Sequence, residues 1–123
     1  MKKILFSVLP VAAIAIISLH PLADPLTIGA TLPKAETKMK DVSGKEISFK
    51  EVMKKNGLLV MFSCNTCPYV VKNQERTIAI SVFATKKNVG VIILNSNEAY
   101  RGNEDSYAAM QEYAKDQHYT WNY

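Results

Sequence analysis

Two cysteines, two histidines and one tryptophan are all that this chain of 123 residues has of the rarer side chains. A structural zinc site takes four ligands, mostly cysteine and histidine. Here there is no second cysteine pair, and His118 is the one histidine outside the N-terminal segment, so ligand counting argues against zinc and no metal is expected. Two thiolates alone can hold copper(I), which keeps a copper-handling chaperone as a minor alternative. Basic residues are neither clustered nor interleaved with aromatics, so the footprint of a nucleic-acid binder is missing. Lys54-Lys55 and Lys86-Lys87 read as solvated helix ends, where cations suit the helix dipole. Low-complexity tracts and internal repeats are missing too, and the length leaves room for one domain.

The formal charge of +4 shrinks once Lys2 and Lys3 are set aside, leaving 13 basic against 11 acidic residues. Those two lysines open a segment with the layout of a secretory signal: an apolar run from Ile4 to Leu19, then His20-Pro21-Leu22-Ala23. The expected division is a signal peptide over residues 1–23 and a domain over 24–123. The run is interrupted by Ser7, Pro10 and Ser18 and is short for a membrane span. An uncleaved anchor is the alternative, and the only route to a membrane association. No cysteine lies near residue 23, so lipid attachment is not expected. The domain is therefore expected to be periplasmic or otherwise extracytoplasmic, where disulfides form and persist.

What the chain does have is Cys64-Asn65-Thr66-Cys67-Pro68. Before it stands the wholly apolar Leu58 to Phe62, which reads as a central strand covered on both faces. After it, Val71, Ile78, Ala79, Val82 and Phe83 fall near one face of a helix from Pro68 to about Lys87. Pro68 suits only the first turn, so the helix starts at Thr66 or Cys67. Val91 to Leu94 reads as a second apolar strand, parallel to the first. Upstream, Lys38 to Val42 and Glu46 to Phe49 flank Ser43-Gly44 as a hairpin. Phe49 to Lys55 offers one or two helical turns that stop at Asn56-Gly57. Downstream, Asp105 or Ser106 caps a helix running to about Gln117, with Tyr107, Met110, Tyr113 and Ala114 on one stripe. These aromatics read as packing, not as a ligand box.

A dithiol at the end of a strand and the start of a helix is equipped for sulfur chemistry. The thiolate is the reactive form, and unpaired N–H groups at a helix start favour it. Cys64, just before the helix, is expected to be exposed and to attack; Cys67, in the first turn, is expected to be more enclosed and to resolve the mixed disulfide. Asn65, Thr66 and Pro68 support the pair. The bland reading is a structural disulfide, but so small a ring removes little entropy from the unfolded chain. It is a poor staple and a good switch.

At this point the sequence resembles the thioredoxin-like redoxin family, the AhpC/TSA and thioredoxin-like group. The resemblance runs from about Leu26 to the end. Ile28-Gly29, Asp41 to Phe49, Phe62-Ser63-Cys64-Asn65-Thr66-Cys67-Pro68-Tyr69-Val70, Val91 to Asn97, and Asp105-Ser106 carry it. It implies an α/β, thioredoxin-like fold: a central mixed sheet with flanking helices and the dithiol at the start of the first long helix. It also implies thiol:disulfide oxidoreductase activity with no cofactor, with Cys64 at the nucleophilic and Cys67 at the resolving position. Expected partners are protein dithiols or disulfides and a membrane electron donor.

Three departures qualify the resemblance. A thiol peroxidase needs Thr-x-x-Cys with an upstream proline; Cys64 replaces that threonine and Val60 stands at the proline position, so peroxidase chemistry centred on Cys67 is the weaker alternative. The central strand lacks the buried acid of ordinary thioredoxin, and no tryptophan precedes the dithiol. The family also continues with a cis-proline strand facing the dithiol, and further elements, beyond Tyr123. The expectation is a domain incomplete at its C-terminus, with an exposed sheet edge, little stability and an activity that the loss can abolish. A high thermal unfolding temperature together with full activity would contradict it.

Overall fold

The computed structural model describes residues 25–123; the predicted signal segment and its cleavage point lie outside them. By internal contacts the chain forms two units, residues 1–31 and 32–123. Of the first, the described part is a turn in which the Ala30 N–H donates to the Thr27 carbonyl at 3.0 Å.

The second unit is a mixed α/β domain. Strands β1 (Met39–Lys40) and β2 (Glu46–Ile47) form the expected antiparallel hairpin. Gly44 turns it at φ +86°, a left-handed conformation that suits glycine. Helix α1 (Phe49–Val52) follows with a capping box: the Ser48 hydroxyl accepts from the Glu51 N–H, and the Glu51 carboxylate accepts from the Ser48 N–H. Strand β3 (Leu58–Ser63) leads to the cysteines, and β4 (Gly90–Asn95) pairs with it in parallel, from Leu58 opposite Gly90 to Ser63 opposite Asn95. Between them run helices α2 (Pro68–Lys72) and α3 (Gln74–Lys86), and α4 (Tyr107–Asp116) follows β4.

The sheet departs from expectation. In place of one mixed sheet there are, among the described residues, two two-stranded ones, the hairpin and the β3–β4 pair. On the other side of β4 the last residues form a single parallel bridge, Ile92 to Asn122. The strand covered on both faces is β4, with Val91, Ile92 and Ile93 buried, whereas β3 is half-buried and its Phe62 is 71% exposed. Among the described residues β3 pairs on one side only, and a strand needs neighbours on both sides to be central.

The long helix also differs. Its path breaks at Asn73, which sits at φ −102°, ψ 9°. The Asn73 amide donates to the Tyr69 carbonyl at 2.8 Å, the local competition that disfavours asparagine inside helices. Beyond the break the buried positions are Gln74, Ser81 and Ala84. Of the predicted apolar face, Val71, Ala79, Val82 and Phe83 are exposed and only Ile78 is partly covered. The covered side of α3 thus carries a glutamine and two small side chains, and most of the apolar stripe lies exposed.

Both longer helices end in the same way. After α3, Asn88 takes φ +56°; after α4, His118 takes φ +55°. In each case the next N–H reaches back into the last turn, Val89 to the Ala84 carbonyl at 3.0 Å and Tyr119 to the Ala114 carbonyl at 2.9 Å. These are Schellman closures. His118 is therefore the turning residue at a helix end, exposed as expected.

The core joins Ile93, Met110, Ala114 and Tyr123, with Val42, Met61, Tyr113, Tyr119 and Trp121 packed around them. Tyr119 packs on Trp121 with ring centroids 4.9 Å apart. Gln74 ties α3 to this cluster, donating to the Tyr119 hydroxyl at 2.8 Å and accepting from the Tyr113 hydroxyl at 3.1 Å.

Gly90 is where α1 and β4 meet. A Cβ there would collide with the Val52 carbonyl oxygen and lie 3.1 Å from a Leu58 methyl carbon. Backbone cannot yield as a side-chain end can, so Gly90→Ala should destabilise the fold by about 1–3 kcal/mol. A lower urea midpoint at unchanged slope is the expected reading.

Candidate functional site

Strand β3 ends at Ser63, and the next four residues turn the chain into α2. Cys67 is the N-cap of α2 and Pro68 its first residue, so the helix begins just after the Thr66 or Cys67 expected, with the proline in its first turn. Cys64 and Cys67 are joined as a disulfide with their Cα atoms 5.7 Å apart. The pair predicted from spacing is therefore together, at the predicted junction.

Exposure reverses the prediction. Cys64 is the buried residue, 3% exposed, and Cys67 is only partly covered. The cause is the residue between them. Asn65 is 7% exposed and is drawn into the domain, and Cys64 goes in with it. Thr66 and Pro68 remain at the surface. Of the supporting residues named from sequence, Asn65 makes the interior contacts.

Those contacts form a cage around Asp105. The Asn65 N–H donates to Asp105 Oδ1 at 2.7 Å. The Asn95 amide donates to the same oxygen at 2.6 Å, and the Asn97 amide donates to Oδ2 at 2.7 Å. The Asn65 amide donates to the Glu104 carbonyl at 2.6 Å, and the Tyr123 hydroxyl donates to Asn65 Oδ1 at 2.6 Å. Asp105 has no exposed surface.

Burial by itself pushes its carboxyl pKa up. The Asn65 N–H, the Asn95 and Asn97 amides and the nearby Arg101 charge outweigh that effect and hold it below its ordinary 3.8. Burial raises the Tyr123 phenol, which keeps it a hydrogen-bond donor.

Asp105 was expected only as a possible helix cap. The cap is Ser106, whose hydroxyl accepts from the Ala109 N–H at 3.3 Å, and Asp105 turns inward instead. A sequence signal did exist: two asparagines at Asn95 and Asn97, directly after an apolar strand, supply donors that a buried carboxylate needs.

A second buried carboxylate, Asp41, sits in the hairpin. It accepts from the Ser43 N–H at 2.9 Å, the Tyr123 N–H at 2.9 Å and the Asn122 amide at 3.3 Å. Its burial raises the pKa, and these donors bring it below the ordinary 3.8. An open groove of about 380 Å³ borders the dithiol turn, lined by Met61, Phe62 and Ser63 of β3, Tyr69 and Val70 of α2, and Asn73 and Thr77. Among the described residues no three of His, Cys, Asp and Glu converge as metal ligands would.

The site is thus a Cys-x-x-Cys disulfide at a strand–helix junction of an α/β domain, with its turn anchored on a buried carboxylate. No protein-family model matches the chain, and no curated protein does. Among solved structures it is similar to an uncharacterized conserved protein from Geobacillus kaustophilus, with a TM-score of 0.65 and 28% sequence identity. The match covers 70% of this chain and 46% of that one, so this chain spans less than half the length of the protein it resembles. The likeness bears on the α/β fold and names no activity.

Both aspartates have folded pKa values below their unfolded one, so the unfolded chain binds more protons in acid. Their stabilisation is complete above the unfolded value and is lost as pH falls through the folded one. Urea midpoints should hold steady from pH 7 to 5 and drop below about pH 4. Each unit of depression corresponds to about 1.4 kcal/mol. Asp41→Asn and Asp105→Asn should each flatten that acid limb.

Proposed function

We propose that this chain is an extracytoplasmic thiol:disulfide oxidoreductase of thioredoxin-like fold. The observation that carries the reading is the Cys64–Cys67 disulfide closed across the β3–α2 junction. A ring this small contributes little as a staple, so its retention at an anchored turn favours redox use. The apolar groove along Phe62, Ser63 and Tyr69 would seat a partner polypeptide along the residues that flank the dithiol turn.

In the reducing direction a thiolate of the pair attacks one sulfur of a partner disulfide. A new S–S bond forms between the two proteins, and the partner's other sulfur leaves as thiolate. The second cysteine, as thiolate, then attacks the first, closing Cys64–Cys67 and releasing the partner's remaining sulfur. Two electrons and two protons pass to the partner in all. Run backwards, the same steps oxidise a partner dithiol.

Sequence position assigns the attack to Cys64 and the resolution to Cys67. The burial of Cys64 and the greater exposure of Cys67 favour a second reading, with the roles exchanged and Cys67 meeting the partner. In that arrangement Cys67 is also the thiol that would meet a peroxide.

Insulin, a protein disulfide substrate, tests both readings. With Cys64 attacking, Cys67→Ser accumulates a mixed disulfide on Cys64; with exchanged roles, Cys64→Ser accumulates it on Cys67. Either variant should reduce insulin no faster than free glutathione does. Wild-type turnover at that same background rate would end the oxidoreductase reading.

A further inference from the structure

Asp105 takes no part in the sulfur chemistry, yet it stands next to it. Its Oδ1 accepts the N–H of Asn65 at 2.7 Å, and that nitrogen is bonded to the carbonyl carbon of Cys64. A carboxylate with no exposed surface is thus one hydrogen bond from the peptide link that begins the Cys64–Cys67 turn. Two effects of the same sign follow. The pinned turn holds the cysteines in their ring-closing arrangement, and a preorganised pair closes more readily than a mobile one. The negative charge also disfavours a thiolate beside it, and the Asn65 N–H is already taken by the carboxylate. Both weight the disulfide over the dithiol. The groups around the carboxylate leave its charge in place. Asn95 and Asn97 are neutral, and Tyr123 stays protonated. Arg101 shares its guanidinium with Glu98 at 3.0 Å and the Asn95 carbonyl at 2.9 Å.

We infer that Asp105 is the positioning residue that sets the redox poise of the pair, holding Cys64–Cys67 toward the disulfide and making the reduced form a strong electron donor. This rests on the disulfide-exchange reading for its use in the cell; its measurement does not. In dithiothreitol buffers the balance is protein disulfide plus dithiothreitol against protein dithiol plus cyclic oxidised dithiothreitol, with two electrons and two protons exchanged.

The test equilibrates the full chain in dithiothreitol buffers of graded ratio, alkylates the free thiols and counts them by mass. Asp105→Asn should shift the equilibrium constant about tenfold toward the dithiol, about 30 mV more oxidising for a two-electron couple. Asp41→Asn removes the other buried carboxylate and should leave the constant unmoved. Should Asp105→Asn fail to fold, Asp105→Asn combined with Asn97→Asp retains an acceptor for each donor of the cage. It moves the charge off the Asn65 N–H, and its constant should shift the same way. An unchanged constant in a folded Asp105→Asn chain or in the double variant overturns the inference, as does an equal shift in Asp41→Asn. Dithiothreitol reduces accessible disulfides without catalysis. Failed insulin turnover therefore removes the proposed function and leaves this measurement standing, and an unchanged constant does the reverse.

Discussion

A carboxylate enclosed on all sides has to be met by donors, because an isolated buried charge costs far more than the fold can spare. Asp105 is met by a backbone N–H from the cysteine turn and by two amides from the end of β4. The segment that leaves β3, the segment that leaves β4 and the residue that leads into α4 are therefore tied at one point. The C-terminal Tyr123 joins through Asn65. Removing a partner would leave the charge uncompensated, so the cage holds as a unit. The burial of Cys64 follows from it: Asn65 cannot reach Asp105 without carrying its neighbour inward.

Asp41 does similar work at the other end of the last segment. It accepts from the Tyr123 N–H, while the Val42 N–H donates to the Tyr123 carbonyl at 3.0 Å. The Tyr107 hydroxyl adds a bond from α4 to the Asp41 carbonyl at 2.8 Å. A hairpin with only two residues in each strand would not stand alone in water. It stands because α4 and the final residues supply it with partners. Surface ion pairs, Lys38 with Glu51 and Lys50 with Glu36, lie on exposed side chains and contribute little by comparison.

Much of the local structure was legible. The hairpin around Ser43-Gly44, the Leu58 to Phe62 and Val91 to Leu94 strands, a helix start within two residues of Pro68 and the helix ending near Gln117 all follow from short-range rules. Turn chemistry, proline geometry and apolar runs act within a few residues, so the chain carries their signals openly. The break at Asn73 and the inward face of α3 were not legible. Periodicity marked Val71, Val82 and Phe83 as the buried stripe, yet the buried positions are Gln74, Ser81 and Ala84. Apolar spacing says that a helix has a covered side, but which side depends on how near its neighbour comes. It also says nothing of whether every apolar run has neighbours, and among the described residues β3 pairs with a strand on one side only.

The candidate site divides in the same manner. That Cys64 and Cys67 lie together at a strand–helix junction was determined by sequence: two intervening residues and a proline leave little freedom in where the chain can turn. Which cysteine is enclosed, and what anchors the turn, was decided by contacts across long stretches of chain. Asn65 meets Asp105 forty residues on and Tyr123 fifty-eight residues on. Asn65 by itself reads as an ordinary turn residue and Asp105 as an ordinary cap. Only folding brings the donors to the carboxylate, and a buried charge with its donors is a property of the assembled set, not of any one of its members.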